Sequence, residues 1–200
     1  MYISNSEIRA RARMALGYSL FSKQFILLIA MSVVVSAILN AANYLCIGLG
    51  TLLLCGPLYV GLYKSYLKVS NGYVDIKFTT VFDGCDDFGS NLVLGVMHTL
   101  IITLWTFLLI IPGIIKSYSY ALAYYIKADN PEYTWRECLT ESEIMMRGYK
   151  MKLFMLHLSF IGWAFLSLFT FGIGFLWVNT YQQTATAIFY QELKNSRMYA

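Results

Sequence analysis

The residues of this chain that could do chemistry are few, and most of them sit in apolar sequence. His98 and His157 each stand five or six residues into a hydrophobic segment that begins at a charged connector. At 1.5 Å per helical residue both lie roughly 8–9 Å from that end. The last apolar segment returns to the same end and carries Gln182 and Gln183 at comparable depth, with Asn179 and Thr180 above them. Tyr124 and Tyr125 reach the same layer. Polar groups inside a membrane face a bundle interior or a wet cavity. His98, His157, Tyr124, Asn179, Gln182 and Gln183 are therefore a candidate polar cavity. Its plain form is interhelical hydrogen bonding, and its functional form is a ligand-binding or proton-linked cavity. No third acidic or thiol ligand lies at that depth, so neither a metal nor a cofactor is expected.

Other constellations are weaker. Lys116 lies one helical turn past Pro112-Gly113 and is a candidate outer-face cation, either snorkelling to the interface or facing a pocket. Asp83, Asp86 and Asp87 lack the alternating ligand spacing of a calcium loop and read as a solvated face. Trp105, Trp163, Tyr118 and Tyr120 read as interfacial belt and packing. The four cysteines, Cys46, Cys55, Cys85 and Cys138, form no C-x-x-C pair. Serine and cysteine have no acid–base partner at motif spacing, and there is no G-x-S-x-G, P-loop, H-E-x-x-H or dinucleotide fingerprint. The expectation is a protein that is not an enzyme.

Composition says what must hold these residues in place. Of 200 residues 58% are hydrophobic and 13% charged, against about 25% charged in a soluble domain. The chain is too poor in charge to cover itself with a water-facing surface all round. The fold class expected is an all-α polytopic membrane protein with six transmembrane helices arranged as three helical hairpins, plus amphipathic surface helices. The net charge of +4 is read by position and carries no nucleic-acid signal.

One membrane domain covers 1–200. Residues 1–23 hold an amphipathic helix with Ile8, Ala12, Ala15, Leu16 and Ser19 at helical spacing and Arg9 and Arg13 on another face, suited to anionic lipid. Residues 24–67 form hairpin one, with a charge-free link at Ala41-Ala42-Asn43. A cytoplasmic connector occupies 68–91. Residues 92–128 as one helix would be about 55 Å long, far beyond a hydrocarbon core of roughly 30 Å. The structural turn is therefore placed at Pro112 and Gly113, which makes hairpin two. Residues 129–151 are a second cytoplasmic connector with a short helix, opened by the capping box Thr134-x-x-Glu137 and closed at Arg147-Gly148. Hairpin three is 152–190, turning at Phe171–Gly174, and 191–200 is a tail.

Orientation follows from the basic residues. Of 15 lysines and arginines, all but Lys116 fall on one side of six spans. The positive-inside rule makes that side cytoplasmic and puts both termini there. The localisation expected is the cell membrane, multi-pass, with lipid and a membrane-protein partner as the contacts and no nucleic acid.

Several of these residues are also a pattern. L-W at 104–105, I-I-P-G-I-I-K at 110–116, S-Y at 119–120, A-D-N-P at 128–131, G-Y-K at 148–150, L-S-F-I-G-W at 158–163 and F-Y at 189–190 resemble the bacterial integral membrane family known as domain of unknown function 975. The pattern departs from that family at Asn179, where a proline is expected, so the last helix should be less kinked. More loosely, the chain resembles the membrane domain of some glycerophosphodiester phosphodiesterases. The resemblance implies a bacterial cell membrane and brings no catalytic residues with it.

Overall fold

A computed structural model describes residues 4–17, 22–45, 50–73, 76–168 and 174–198. Among them the structure is helical, with no strand. The chain forms two compact units. One comprises 1–33, 65–78 and 151–200, and the other 34–64 and 79–150.

In the first unit α1, Asn5–Ala15, starts at Ser4, whose hydroxyl accepts from the Glu7 N–H. Its apolar face is Ile8, Ala12 and the adjoining Leu16, all buried. That face is covered by protein. The C-terminal α10, Gly174–Met198, supplies Glu192, which pairs with Arg11, and Tyr181, whose hydroxyl donates to the Arg9 carbonyl at 2.8 Å. The apolar stripe that a lipid-bound surface helix would need is thus packed against α10, and Glu7, Arg13 and Met14 face outward. Two short helices precede α10: α8, Lys150–Leu158, and α9, Ile161–Leu168, joined by a turn at Ser159-Phe160. The tip expected at Phe171–Gly174 lies outside the described residues except for Gly174, which opens α10.

The first long apolar helix, α2, runs from Lys23 to Leu45 and leads from the first unit into the second. Ala41-Ala42-Asn43 is not the link between helices, because α2 continues through it. The connection falls within 46–49, outside the described residues. α3, Gly50–Ser70, begins so close to α2 that a Cβ on Gly50 would overlap the backbone of Ala42. α3 ends at Gly72, whose φ of +83° is the left-handed conformation glycine adopts without strain.

The second unit is built on contacts between backbones. A Cβ on Gly56 of α3 would overlap the Asn91 carbonyl, and a Cβ on Gly95 would lie 2.6 Å from the Gly56 Cα. Both partners belong to α4, Phe88–Leu108. The connector after α3 also folds back onto it. Phe78–Cys85 is a 3-10 helix in which Val81 and Gly84 are buried, and Cβ atoms on Gly61 and Gly84 would each overlap the opposing main chain. Small residues make this approach possible where hydrophobic exclusion contributes little. Lys64 and Asp83 pair across the same seam at 2.9 Å.

The reversal after α4 is not at Pro112-Gly113. It is at Leu109, the single extended residue (φ −158°, ψ 132°) between α4 and α5, Ile110–Ser119. Pro112 is the third residue of α5, in the first turn, where its missing N–H has no intrahelical partner to lose. Gly113 lets α5 lie against α4, since a Cβ there would sit 2.5 Å from the Thr106 hydroxyl. The return strand of this hairpin is two short helices, α5 and α6, Ala123–Asp129. Ser142 bridges the break between them: its hydroxyl accepts from the Leu122 N–H at 3.2 Å and donates to the Ser119 carbonyl at 2.8 Å. Ser142 lies on α7, Trp135–Met145, which opens with the expected Thr134–Glu137 capping box.

Two helical stretches, Lys23–Tyr44 and Phe88–Phe107, are long and apolar enough to cross a membrane. The segments expected as spans four and five are each split into two short helices, for the reasons of turn and packing given above.

Candidate functional site

His98 projects from α4 into an aromatic cluster of the second unit. Its ring centroid is 4.9 Å from that of Tyr124, and the ring is hydrogen-bonded to the backbone of Tyr120. Tyr124 stacks on Tyr63 at 5.5 Å and 15°, and meets Tyr59 edge-on at 5.8 Å. Tyr125 meets Tyr63 edge-on at 4.5 Å. The helices α3, α4 and α6 each contribute at least one ring, and Gly56 and Gly95 bring α3 and α4 close enough for the rings to meet. Aromatic pairs of this kind contribute about 0.5–1.5 kcal/mol beyond burial.

His157 belongs to the other unit, as do Asn179, Gln182 and Gln183. Its Nε2 lies 3.2 Å from the Thr186 hydroxyl on α10, and that hydroxyl also donates to the Gln182 carbonyl at 2.9 Å. Asn179 is exposed, and Gln182 and Gln183 are half-buried. The structure therefore joins Tyr124 to His98, and joins His157 to α10 one turn from Gln182.

Lys116 is not a free cation at an outer tip. Its ammonium is 2.9 Å from Glu143 Oε1 on α7 and 3.5 Å from the Tyr120 hydroxyl. It also lies 5.7 Å from the centroid of Trp105 and 5.3 Å from that of Tyr120. The hydrogen bond from Lys116 holds the Glu143 carboxyl below the usual carboxylate range. The expected topology put Lys116 at the outer face and residues 129–151 at the cytoplasmic one. A contact at hydrogen-bond distance cannot join opposite faces of a bilayer about 30 Å thick, so these two placements do not hold together.

The most enclosed charge is one the sequence reading treated only as an orientation signal. Lys127, on α6, is 2% exposed. Its ammonium donates to Ser90 Oγ at 2.7 Å, the Pro131 carbonyl at 2.5 Å and the Tyr133 carbonyl at 2.8 Å, and lies 3.4 Å from Asp87 Oδ2. An ammonium has three protons to place, and this ring of oxygens takes all of them. The site ties the start of α4 to the turn between α6 and α7. The A-D-N-P stop after Lys127 is the one local signal, since it turns two carbonyls back toward the helix end.

Taken together, the helical fold, the long apolar helices and the buried polar contacts describe an all-α protein rich in apolar residues. The model of the family described as Protein of unknown function (DUF975) matches residues 107–197. That stretch is 91 residues, a little under half of the chain, and over it the sequence is similar to this family, in line with the motifs between 110 and 190. The match takes in Lys116, Lys127, Glu143 and His157. No curated protein and no solved structure matches the chain.

Proposed function

We propose that this is an integral protein of the bacterial cell membrane with both termini cytoplasmic, serving a non-enzymatic accessory, envelope or lipid-interacting role. The observation that carries the reading is α2: within Lys23–Tyr44 an 18-residue stretch has mean hydropathy 2.5 and only a third of it is buried, leaving the rest of an apolar helix to be solvated by lipid. The asymmetry of the lysines and arginines supports the orientation. Exposed Arg13 on α1 remains available to anionic headgroups. In this proposal α2–α3 and α8–α10 are the spanning hairpins, and the Lys116–Glu143 contact leaves α4–α6 without a full crossing. Extraction of native membranes with alkaline carbonate tests insertion: the chain stays with the pellet, and its release would sink the proposal. Purification in mild detergent then separates the roles, a stoichiometric protein partner supporting the accessory role.

A second reading, a small transporter or ligand-binding membrane protein, is favoured by the contact of His98 with Tyr124 at one side of a cluster of four tyrosine rings. A defined small molecule retained through purification supports it. If His98→Phe leaves that binding unchanged, the aromatic cluster is not the site.

A further inference from the structure

The α4–α5 tip is apolar surface with no protein over it. Phe107 is 91% exposed, Ile111 73% and Leu104 70%. The body of the same hairpin is different. α7 runs beside α4 and α6 from the Lys127 site, which its preceding residue Tyr133 helps to form, to Glu143, which holds Lys116. Along that path Arg136 and Glu137, and Arg147 just beyond, are exposed. One flank of the hairpin is thus lined with charge from the start of α4 to the level of Lys116.

The register locates that level. Gly113 lies against Thr106, so Lys116, three residues further along the antiparallel α5, stands beside Thr103. Five residues of α4 remain beyond Thr103, roughly 8 Å of helix. A hydrocarbon core is about 30 Å thick. A tip of that length enters one leaflet and cannot cross both.

We propose that α4–α5 is a re-entrant hairpin whose tip, residues 104–115, inserts from the α7 side into the acyl chains of a single leaflet. Trp105 and the Lys116–Glu143 pair mark the boundary with water, as tryptophan and lysine do at membrane interfaces. The occupant around the tip is lipid because, Thr106 apart, every described exposed side chain between Leu104 and Ile115 is apolar, with Trp105 and Lys116 at its base. Leu109, its non-helical residue, has both backbone groups bonded: its N–H donates to the Trp105 carbonyl and its carbonyl accepts from the Gly113 N–H. The Thr106 hydroxyl is bonded to the Ile102 carbonyl. Closing the groups of Leu109 and Thr106 in this way lowers the cost of placing the reversal in hydrocarbon. The inference rests on the membrane reading above and defines its middle hairpin.

The test uses the full chain with Cys46 and Cys85 replaced by serine, reconstituted in phosphatidylcholine–phosphatidylglycerol vesicles. Single cysteines at Leu100, Leu104 and Phe107, all exposed on α4, carry a fluorophore, and doxyl groups at set acyl positions quench it. Ile111→Cys repeats the measurement on the other arm, and Val33→Cys on α2 is the lipid-facing control. The expected result is depth increasing from residue 100 to 104 to 107, with Ile111 as deep as Phe107. Greatest depth at residue 100, with Phe107 near the opposite interface, means a full span and overturns the proposal. A quenched α2 probe with unquenched tip probes means that protein covers the tip, which also overturns it. An unquenched α2 probe removes the membrane reading itself, and the hairpin proposal with it.

Discussion

Single side chains show how much a charge depends on its surroundings. Lys127 carries one positive charge, as the other lysines do, yet its ammonium is fully enclosed by oxygens. Lys127→Met leaves Asp87, Ser90 and two carbonyls without their donor. Asp87 is 55% exposed and is left to water, while an unpaired buried polar group costs about 1–3 kcal/mol, so a fall of about 2 kcal/mol is expected in denaturant unfolding monitored by circular dichroism. Glu143 is more open, and its effect shows in pH dependence. Lys116 lowers its carboxyl pKa in the folded state. A depressed folded value means stability that is complete above the unfolded pKa and is lost as pH falls through the folded one. Wild type should therefore lose stability on acidification below about pH 5 more steeply than Glu143→Gln does. Equal slopes in the acid limb would show that the pair contributes nothing.

At the scale of elements, α3 and α4 are held by the absence of side chains. Gly95 meets the Gly56 main chain, whereas Gly89, on the first turn of the same helix, has nothing within 4 Å of an added Cβ. Gly95→Ala should cost about 1–3 kcal/mol by overpacking. Gly89→Ala should be neutral, or stabilising by up to about 1 kcal/mol through helix propensity. Melting temperatures of the two variants separate a packing contact from a propensity effect, since propensity alone moves both in the same direction. The same logic places the hairpin reversal. A proline can sit in a first helical turn, so Pro112 permits α5 to begin before it, and the close approach at Gly113 then fixes where α5 lies.

For the whole molecule, the cysteines report on which side of a membrane each connector lies. Cys85 is exposed, while Cys138 is buried and its thiol is pushed up to about 11 by that burial. A thiol held protonated is a poor nucleophile. In intact cells a membrane-permeant maleimide should modify Cys85 quickly and Cys138 only after denaturation. Modification of Cys85 by an impermeant reagent from outside would reverse the proposed orientation. Cys138, though it lies in a connector, cannot serve as a second reporter in the folded protein.

The sequence by itself determined the helical class, the apolar segments, the capping box of α7 and the family resemblance. These follow from composition, period and spacing, which are local properties. It also placed Ile8, Ala12 and Leu16 on one buried face of α1. What covers that face was a tertiary matter, because α10 lies more than 150 residues away in sequence. The positions of Lys116 and Lys127 were decided in the same way. A lysine in an apolar segment carries no mark of where its counter-charge will come from. Glu143 and the oxygens around Lys127 come from other elements, and only the packing of α4 through α7 brings them within hydrogen-bond reach.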